Sequence, residues 1–168
     1  MNKNKSFQFI LAILPIGFAG LVYFNSGAIN QVPDISISTI NGEEIATTSL
    51  NGKPALITFW ATDCPSCIKE IPHLKAIHAD YADKGVSIIA IAMKHDRPEH
   101  VIAMTQAKSL PYTIALDPKG DVAKAFGNVR LTPTTFLVAP DSTIALHKLG
   151  LFDEEKMRKQ LDKLLAKS

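Results

Sequence analysis

The chain has 168 residues, 46% of them hydrophobic and 20% charged, with 18 Lys and Arg against 16 Asp and Glu. This composition predicts one folded domain of ordinary size plus a short targeting segment, and it excludes a disordered chain. Lys3 and Lys5 supply the whole positive excess. The rest of the chain is therefore near neutral, and we expect no nucleic-acid partner.

The N-terminus has Lys3 and Lys5 followed by an apolar stretch over 7–24 that only Gln8 interrupts. Its length lies between that of a signal-peptide core and that of a spanning helix. We favour a membrane anchor over residues 1–24; the alternative is a signal peptide cleaved at the small residues 26–28. Because the basic residues precede the stretch, the rest of the chain is expected to cross the membrane. The predicted location is the cell inner membrane, single pass, with the domain in the periplasm or extracytoplasmic space, or secretion after cleavage.

Polar and small residues over 25–34 predict a linker, and residues 35–168 have the pattern of one α/β domain. Alternation over 35–39 followed by Asn41-Gly42 predicts a β-hairpin over about 35–48. The apolar run 55–60 predicts a strand buried on both faces. A helical pattern then runs from Pro65 to about residue 82, and Pro72 inside it is expected to kink the helix.

Strands and helices continue to alternate downstream. We predict a strand over 86–92, a helix over 98–109, a short strand over 112–115 and a short helix over 121–126. In the helix over 98–109, four residues are expected to face inward: Val101, Ile102, Met104 and Ala107. A hairpin of strands 135–138 and 143–147 and a last helix capped by Asp153 complete the pattern. This order predicts a mixed sheet with helices on both faces.

Cys64 and Cys67 are the only cysteines in the chain, and they follow a predicted buried strand. An exported protein with a disulfide framework would carry several scattered cysteines. A bridge across two residues restrains little of the unfolded chain, so it is a poor structural staple. The pair is better explained by reactivity, and its chemistry is predicted to be thiol–disulfide exchange.

Cys64 is the predicted nucleophile because it stands at the start of a helix. Unsatisfied backbone N–H groups and the helix dipole there favour the thiolate. Pro65 suits the first helical turn, where its missing N–H costs nothing. Cys67, one turn further on, is the predicted resolving thiol. Asp63 opposes the helix effect, since an adjacent carboxylate disfavours a thiolate.

Glu70 follows Cys67 by three residues and so lies on the neighbouring helical turn. A partly buried Glu70 could accept the proton of Cys67 as a general base. A solvated surface carboxylate beside Lys69 is the alternative. The residues alone leave both interpretations open.

Thr132 and Pro133 directly precede a predicted strand. A cis Thr132–Pro133 bond would expose the Thr132 backbone for pairing with an extended substrate chain. An ordinary trans loop proline is the better interpretation from the residues alone. No metal site is predicted, because C-x-x-C supplies only half of a zinc site and the five histidines are scattered.

Taken together, the run 60–67, Pro72 and the Pro133-Thr134-Thr135-Phe136 segment resemble thioredoxin-fold proteins, and more narrowly the exported TlpA/ResA-like thiol–disulfide oxidoreductases. The resemblance covers about residues 33–165. It implies that the early hairpin extends the sheet and that the proline matching Pro133 is cis beside the disulfide. It also implies that Glu70 is an active-site acid. Substrate contacts are expected from three residues: Trp60, Pro65 and Thr132.

The chain departs from that family at two positions. Most relatives carry Trp where this chain has Asp63, and thioredoxin keeps a buried Asp where this chain has Thr58. Proton transfer is therefore expected to depend on Glu70 or water. Pro65-Ser66 and the segment Lys94-His95-Asp96-Arg97 resemble the cytochrome c maturation thioredoxins of the DsbE/CcmG type.

The resemblance and the residues together predict an exported, membrane-tethered thiol–disulfide oxidoreductase without a cofactor. It is expected to reduce disulfides of extracytoplasmic partner proteins through Cys64 and Cys67, possible partners including apocytochrome c. Its electrons would come from a membrane donor. Two alternatives are a thiol peroxidase of the peroxiredoxin type and a copper-handling chaperone that uses the two thiols with a distal ligand such as His147.

Overall fold

The computed structural model describes residues 29–167. The predicted anchor or signal over 1–24 lies outside these residues, as do 25–28 of the predicted linker. Within the described residues, no helix combines the length and apolarity needed to cross a bilayer.

The described residues form one mixed sheet of seven strands. The strands are β1 (Ser36–Thr39), β2 (Glu44–Ala46), β3 (Ala55–Trp60), β4 (Ser87–Ala92), β5 (Thr113–Leu116), β6 (Thr134–Val138) and β7 (Ile144–Leu149). Their order across the sheet is β2-β1-β5-β4-β3-β6-β7. β3, β4 and β5 run parallel, and the other neighbouring pairs are antiparallel. The predicted mixed α/β sheet with an additional N-terminal hairpin is confirmed.

In the described part of the chain, four α-helices flank the sheet: α1 (Pro65–Tyr81), α2 (Pro98–Lys108), α3 (Asp121–Ala125) and α4 (Glu154–Leu165). Side chains of β3 alternate between two hydrophobic clusters, as expected of a strand buried on both faces. Leu56 and Trp60 pack in the cluster that contains buried residues of α1 and α4. Ile57 and Phe59 pack in the cluster that contains the buried residues of α3. The redox pair follows β3, a strand whose six residues are all buried.

Helix α1 begins and ends close to the predicted bounds, and it continues through Pro72. Cys64 is its N-cap, Pro65 occupies the first turn, and Pro72 lies inside the continuous helix. Pro72 removes one backbone hydrogen bond, whereas Ile71 and Leu74 on either side of it are buried against the sheet. Their packing keeps the chain helical through the proline.

The structure corrects two predictions. In α2, Val101 is buried, but Ile102 and Ala107 are exposed, because the helix turns only a narrow face to the sheet. The segment 30–32, predicted as linker, pairs with the β6–β7 turn. Val32 N donates to Ser142 O and Ile144 N to Asn30 O.

Candidate active site

Cys64 and Cys67 form a disulfide at the N-terminus of α1, with an S–S distance of 2.12 Å. The backbone N–H of Cys67 donates to Cys64 Sγ at 3.2 Å, and Ser66 Oγ lies 3.4 Å from the same sulfur. Negative charge that develops on Cys64 would therefore meet an oriented donor and the positive end of the helix dipole. Cys64 is 9% exposed and Cys67 3%, so an approaching sulfur reaches Cys64 first.

The loop that carries the disulfide is fastened to the loop after β4. Asp96 accepts hydrogen bonds from the Thr62 backbone N–H at 2.6 Å and from the Thr62 hydroxyl at 2.7 Å. Met93 N donates to Trp60 O at 3.0 Å. Sequence reasoning missed this role of Asp96, whose partner is 34 positions away; its place in a polar run after a buried strand was the available signal. The loop over 93–97 is consequently part of the surroundings of the site.

Pro133 approaches the same end of the sheet from the neighbouring strand. β3 and β6 are antiparallel with Phe59 opposite Thr134, so the end of β3 and the start of β6 coincide. The Thr132–Pro133 bond is cis, as the family resemblance implies. Pro133 is buried and Thr132 half-buried. Within residues 29–167 no hydrogen bond engages the Thr132 backbone, which leaves it available to an incoming chain.

Glu70 is buried beneath the disulfide-bearing turn, with 1% of its surface exposed. Its Oε1 accepts from Phe152 N at 3.3 Å, and its Oε2 accepts from the Thr58 hydroxyl at 3.4 Å. Thr58 in turn accepts from the Thr135 hydroxyl at 2.9 Å. This geometry rules out the alternative of a solvated Glu70 carboxylate. Thr58, which stands where thioredoxin has a buried Asp, donates a hydrogen bond to Glu70.

Burial raises the pKa of Glu70 to about 7. The hydrogen bonds from Phe152 and Thr58 and the nearby His73 oppose that rise but do not cancel it. A carboxyl with such a pKa can gain or lose a proton at neutral pH. Because Glu70 lies one helical turn from Cys67, it is suited to accept a proton from that thiol.

Tyr112 is a further buried group in this region that the sequence did not single out. Burial raises the pKa of its hydroxyl, and the charge of Glu70 raises that pKa further. Tyr112 therefore stays neutral near physiological pH, and its hydroxyl is close enough to Glu70 to respond to the charge of that carboxyl.

The other predicted contact residues differ in their access to a partner. Pro65 is exposed, whereas Trp60 is only 4% exposed, so in this oxidised state Trp60 offers little surface to a substrate. Asp63 is exposed and lies 3.8 Å from His95, measured between Oδ1 and Nε2. The carboxylate that replaces the usual Trp thus has a nearby imidazole.

Two alternative chemistries lose support from the placement of their key residues. His147 stacks on Phe136 with ring centroids 4.4 Å apart, and Phe136 belongs to the hydrophobic cluster on the opposite sheet face from the cysteines. Within residues 29–167, no three His, Cys, Asp or Glu side chains converge as metal ligands. Thr62, the nearest match to a peroxidatic threonine, donates its hydroxyl to Asp96.

Replacing Thr58 with valine is expected to raise the pKa of Glu70 above about 7, because the Thr58 hydroxyl stabilises the carboxylate. A carbon-13 NMR titration of the Glu70 carboxyl in the oxidised protein measures this shift. Thr135→Val is the matched control, since it keeps the hydroxyl that contacts Glu70. Equal shifts of the Glu70 pKa in the two variants would show that the Thr58 hydroxyl does not stabilise the Glu70 carboxylate.

Comparison with known proteins places the chain in a family. The model of the AhpC/TSA family matches residues 29–147. The thiol–disulfide oxidoreductase ResA of Bacillus thuringiensis subsp. konkukian is 28% identical over 99% of this chain and 98% of its own. ResA of Halalkalibacterium halodurans is 29% identical over 92% and 93%.

Among solved structures, a putative thioredoxin from Neisseria meningitidis superposes with a TM-score of 0.77 at 28% identity, covering 83% of this chain and 93% of its own. StoA from Bacillus subtilis superposes with a TM-score of 0.66 at 25% identity, covering 79% and 97%. These neighbours confirm the thioredoxin-like fold. Because the family model matches residues 29–147, the chain belongs to the AhpC/TSA family; with the cysteine pair at the start of α1 and its similarity to ResA, it is a thiol–disulfide oxidoreductase.

Proposed function

We propose that this oxidoreductase works outside the cytoplasm as a membrane-tethered reductant of disulfides in partner proteins. The observation that carries the proposal is the Cys64–Cys67 disulfide at the start of α1 with Glu70 buried one turn behind it. The greater exposure of Cys64 assigns it the first attack, and the Glu70 carboxyl supplies a proton acceptor in a buried position. Such a site suits a cycle in which two thiols are oxidised in order.

The cycle begins with both cysteines reduced. The Cys64 thiolate attacks one sulfur of the partner disulfide, and the S–S bond of the partner breaks as its second sulfur leaves with the electron pair and takes a proton. Glu70, as carboxylate, accepts the proton of Cys67. The Cys67 sulfur then attacks Cys64, which closes the Cys64–Cys67 disulfide and releases the first partner sulfur as a thiol. Two electrons have passed to the partner.

A membrane donor must return those two electrons before the next cycle. The apolar stretch 7–24 after Lys3 and Lys5 supports a single-pass anchor in the inner membrane, with the domain on the periplasmic or extracytoplasmic side. Tethering keeps the domain at a high effective concentration near a membrane-embedded donor.

Apocytochrome c is the specific partner we propose to test first. Its haem-attachment segment is a C-x-x-C-H sequence, which can form its own disulfide outside the cytoplasm. Haem attachment needs both thiols free, so a reductant must act before it. Pro65-Ser66 and Lys94-His95-Asp96-Arg97, which resemble the DsbE/CcmG type, support this choice.

The reduction potential of the Cys64–Cys67 pair tests the direction of electron flow. We expect a midpoint near that of thioredoxin, about −270 mV, when the full-length protein is equilibrated with thiol buffers. A midpoint near about −120 mV would identify an oxidant instead.

The location is tested separately by labelling intact cells with a membrane-impermeant maleimide after mild reduction. Labelling should require Cys64 and Cys67, and labelling only after lysis would contradict export.

A further inference from the structure

A cavity of about 410 Å³ lies beside the disulfide-bearing loop, and its charged lining is entirely basic or imidazole. Lys94 and His95 enter it from the loop after β4, Lys124 from α3, and Arg130 from the loop before Pro133. No carboxylate lines it. Since the chain beyond Lys5 has equal numbers of basic and acidic residues, this local excess of positive charge is a property of the site and not of the whole domain.

The loop that lines the cavity contacts the loop that carries the redox pair. His95 lies 3.8 Å from Asp63, the residue next to Cys64. Asp96 follows His95 and holds Thr62 through two hydrogen bonds. A molecule bound in the cavity therefore lies against the same loops that present Cys64.

The cationic groups of the cavity lack counter-charges of their own. Within residues 29–167, none of Lys94, Lys124 and Arg130 lies within 4.0 Å of a carboxylate. Arg130 lies beside the neutral amide of Asn128, whose oxygen accepts from Nη2 at 2.9 Å when the amide is turned to satisfy both groups. Asp117 does not supply a counter-charge, because it is buried and its oxygens accept hydrogen bonds from the N–H groups of Val122 and Ala123.

The side chain of Lys94 packs against Gly120. Gly120 lies so close to Lys94 that a Cβ added to it would meet Lys94 Cδ at 3.0 Å. The aliphatic part of Lys94 thus rests on a residue without a side chain, at a backbone φ of +78° that favours glycine. Any restriction that this contact places on the lysine side chain lowers the entropic cost of binding.

We infer that this basic cavity binds an acidic segment of the partner protein and so brings the partner's disulfide to Cys64. The inference rests on the proposed function, because it assumes that a protein must reach Cys64. Carboxylates of the partner would pair with Lys94, Lys124 and Arg130. Charge complementarity of this kind selects among partners and accelerates their encounter.

Binding of two cysteine-free peptides to the full-length oxidised protein tests the inference. Both peptides carry serine in place of cysteine and a fluorescent label; one has four glutamates beside the serine and the other four glutamines. By fluorescence anisotropy at low ionic strength, we expect the glutamate peptide to bind about tenfold more tightly, as a few partly screened ion pairs would give. The preference should shrink as salt is added.

Paired variants show whether the cavity is responsible. Lys124→Gln with Arg130→Gln should remove the preference for glutamate. Lys163→Gln with Lys167→Gln removes the same charge from the C-terminal end of α4, on the other side of the sheet, and should retain it. Equal binding of the two peptides to the unmodified protein, or equal losses in the two double variants, would overturn the inference.

Disulfide-bonded versions of the same peptides separate this inference from the proposed function. Reduced protein should reduce the glutamate version faster than the glutamine version, and the cavity variants should slow only the former. If neither peptide disulfide is reduced while the glutamate preference in binding persists, the proposed reductase direction fails and the docking site stands. If both are reduced at one rate and bind equally, the reductase stands and the docking site fails.

Discussion

Replacement of Cys64 by serine is expected to lower the rate of disulfide reduction by about 1000-fold or more, since the attacking nucleophile is lost. Cys64 is the more exposed of the two cysteines, and its sulfur accepts a hydrogen bond from the start of α1. Cys67 is 3% exposed and cannot substitute for it. Reduction of a model disulfide by the chemically reduced protein, followed as thiol release, measures the effect.

Lys69→Gln is the matched control for that experiment. Lys69 is an exposed residue on the same helical turn, and its replacement should change the rate by less than about threefold, as is usual for surface positions. Circular dichroism establishes that each variant is folded. A Cys64→Ser protein that retains the rate of the Lys69→Gln control would refute the assignment of the nucleophile.

Replacement of Glu70 by glutamine is expected to make the oxidised protein more stable at pH 8 but not at pH 4. The pKa of Glu70 is raised from 4.5 to about 7 in the folded protein. Below pH 4.5 the carboxyl is protonated in both states. As pH rises from 4.5 to 7 the unfolded state ionises first, so stability is lost, and above 7 the loss levels off. The loss amounts to about 3 kcal/mol, at 1.36 kcal/mol for each pKa unit.

Glutamine cannot ionise, so its variant lacks this pH dependence while still offering an oxygen to Phe152 N. Urea unfolding of the oxidised protein at pH 4, 6 and 8 gives the free energies of unfolding. Glu43→Gln, at an exposed position, controls for the loss of a carboxylate and should follow the unmodified protein. A Glu70→Gln protein whose stability falls with pH as steeply as the unmodified one would show that Glu70 is not held in its neutral form.

The local part of the site was predictable from the sequence, and its long-range part was not. Cys64, Pro65 and Cys67 act within one turn of helix, so their spacing carries the information. The burial of Glu70 depends on Phe152, 82 positions away, and on Thr58. No local pattern encodes those distances, and only the family resemblance favoured a functional Glu70 over a solvated one.

The two errors in the fold have the same origin. Periodicity placed Ile102 inward because it is apolar, yet the width of the face that α2 turns to the sheet depends on neighbours distant in sequence. Polar composition made 25–34 a linker, but the backbone of 30–32 pairs with the β6–β7 turn irrespective of side chains. Backbone pairing between distant segments leaves little trace in composition.

Mass spectrometry of a trapped mixed disulfide tests the central claim, that Cys64 attacks and Cys67 resolves. Cys67→Ser protein is incubated with a peptide disulfide, digested and mapped. We expect one peptide per Cys67→Ser protein, bound through Cys64, and no stable adduct with the Cys64→Ser protein. An adduct of equal yield on Cys67 in the Cys64→Ser protein would contradict it.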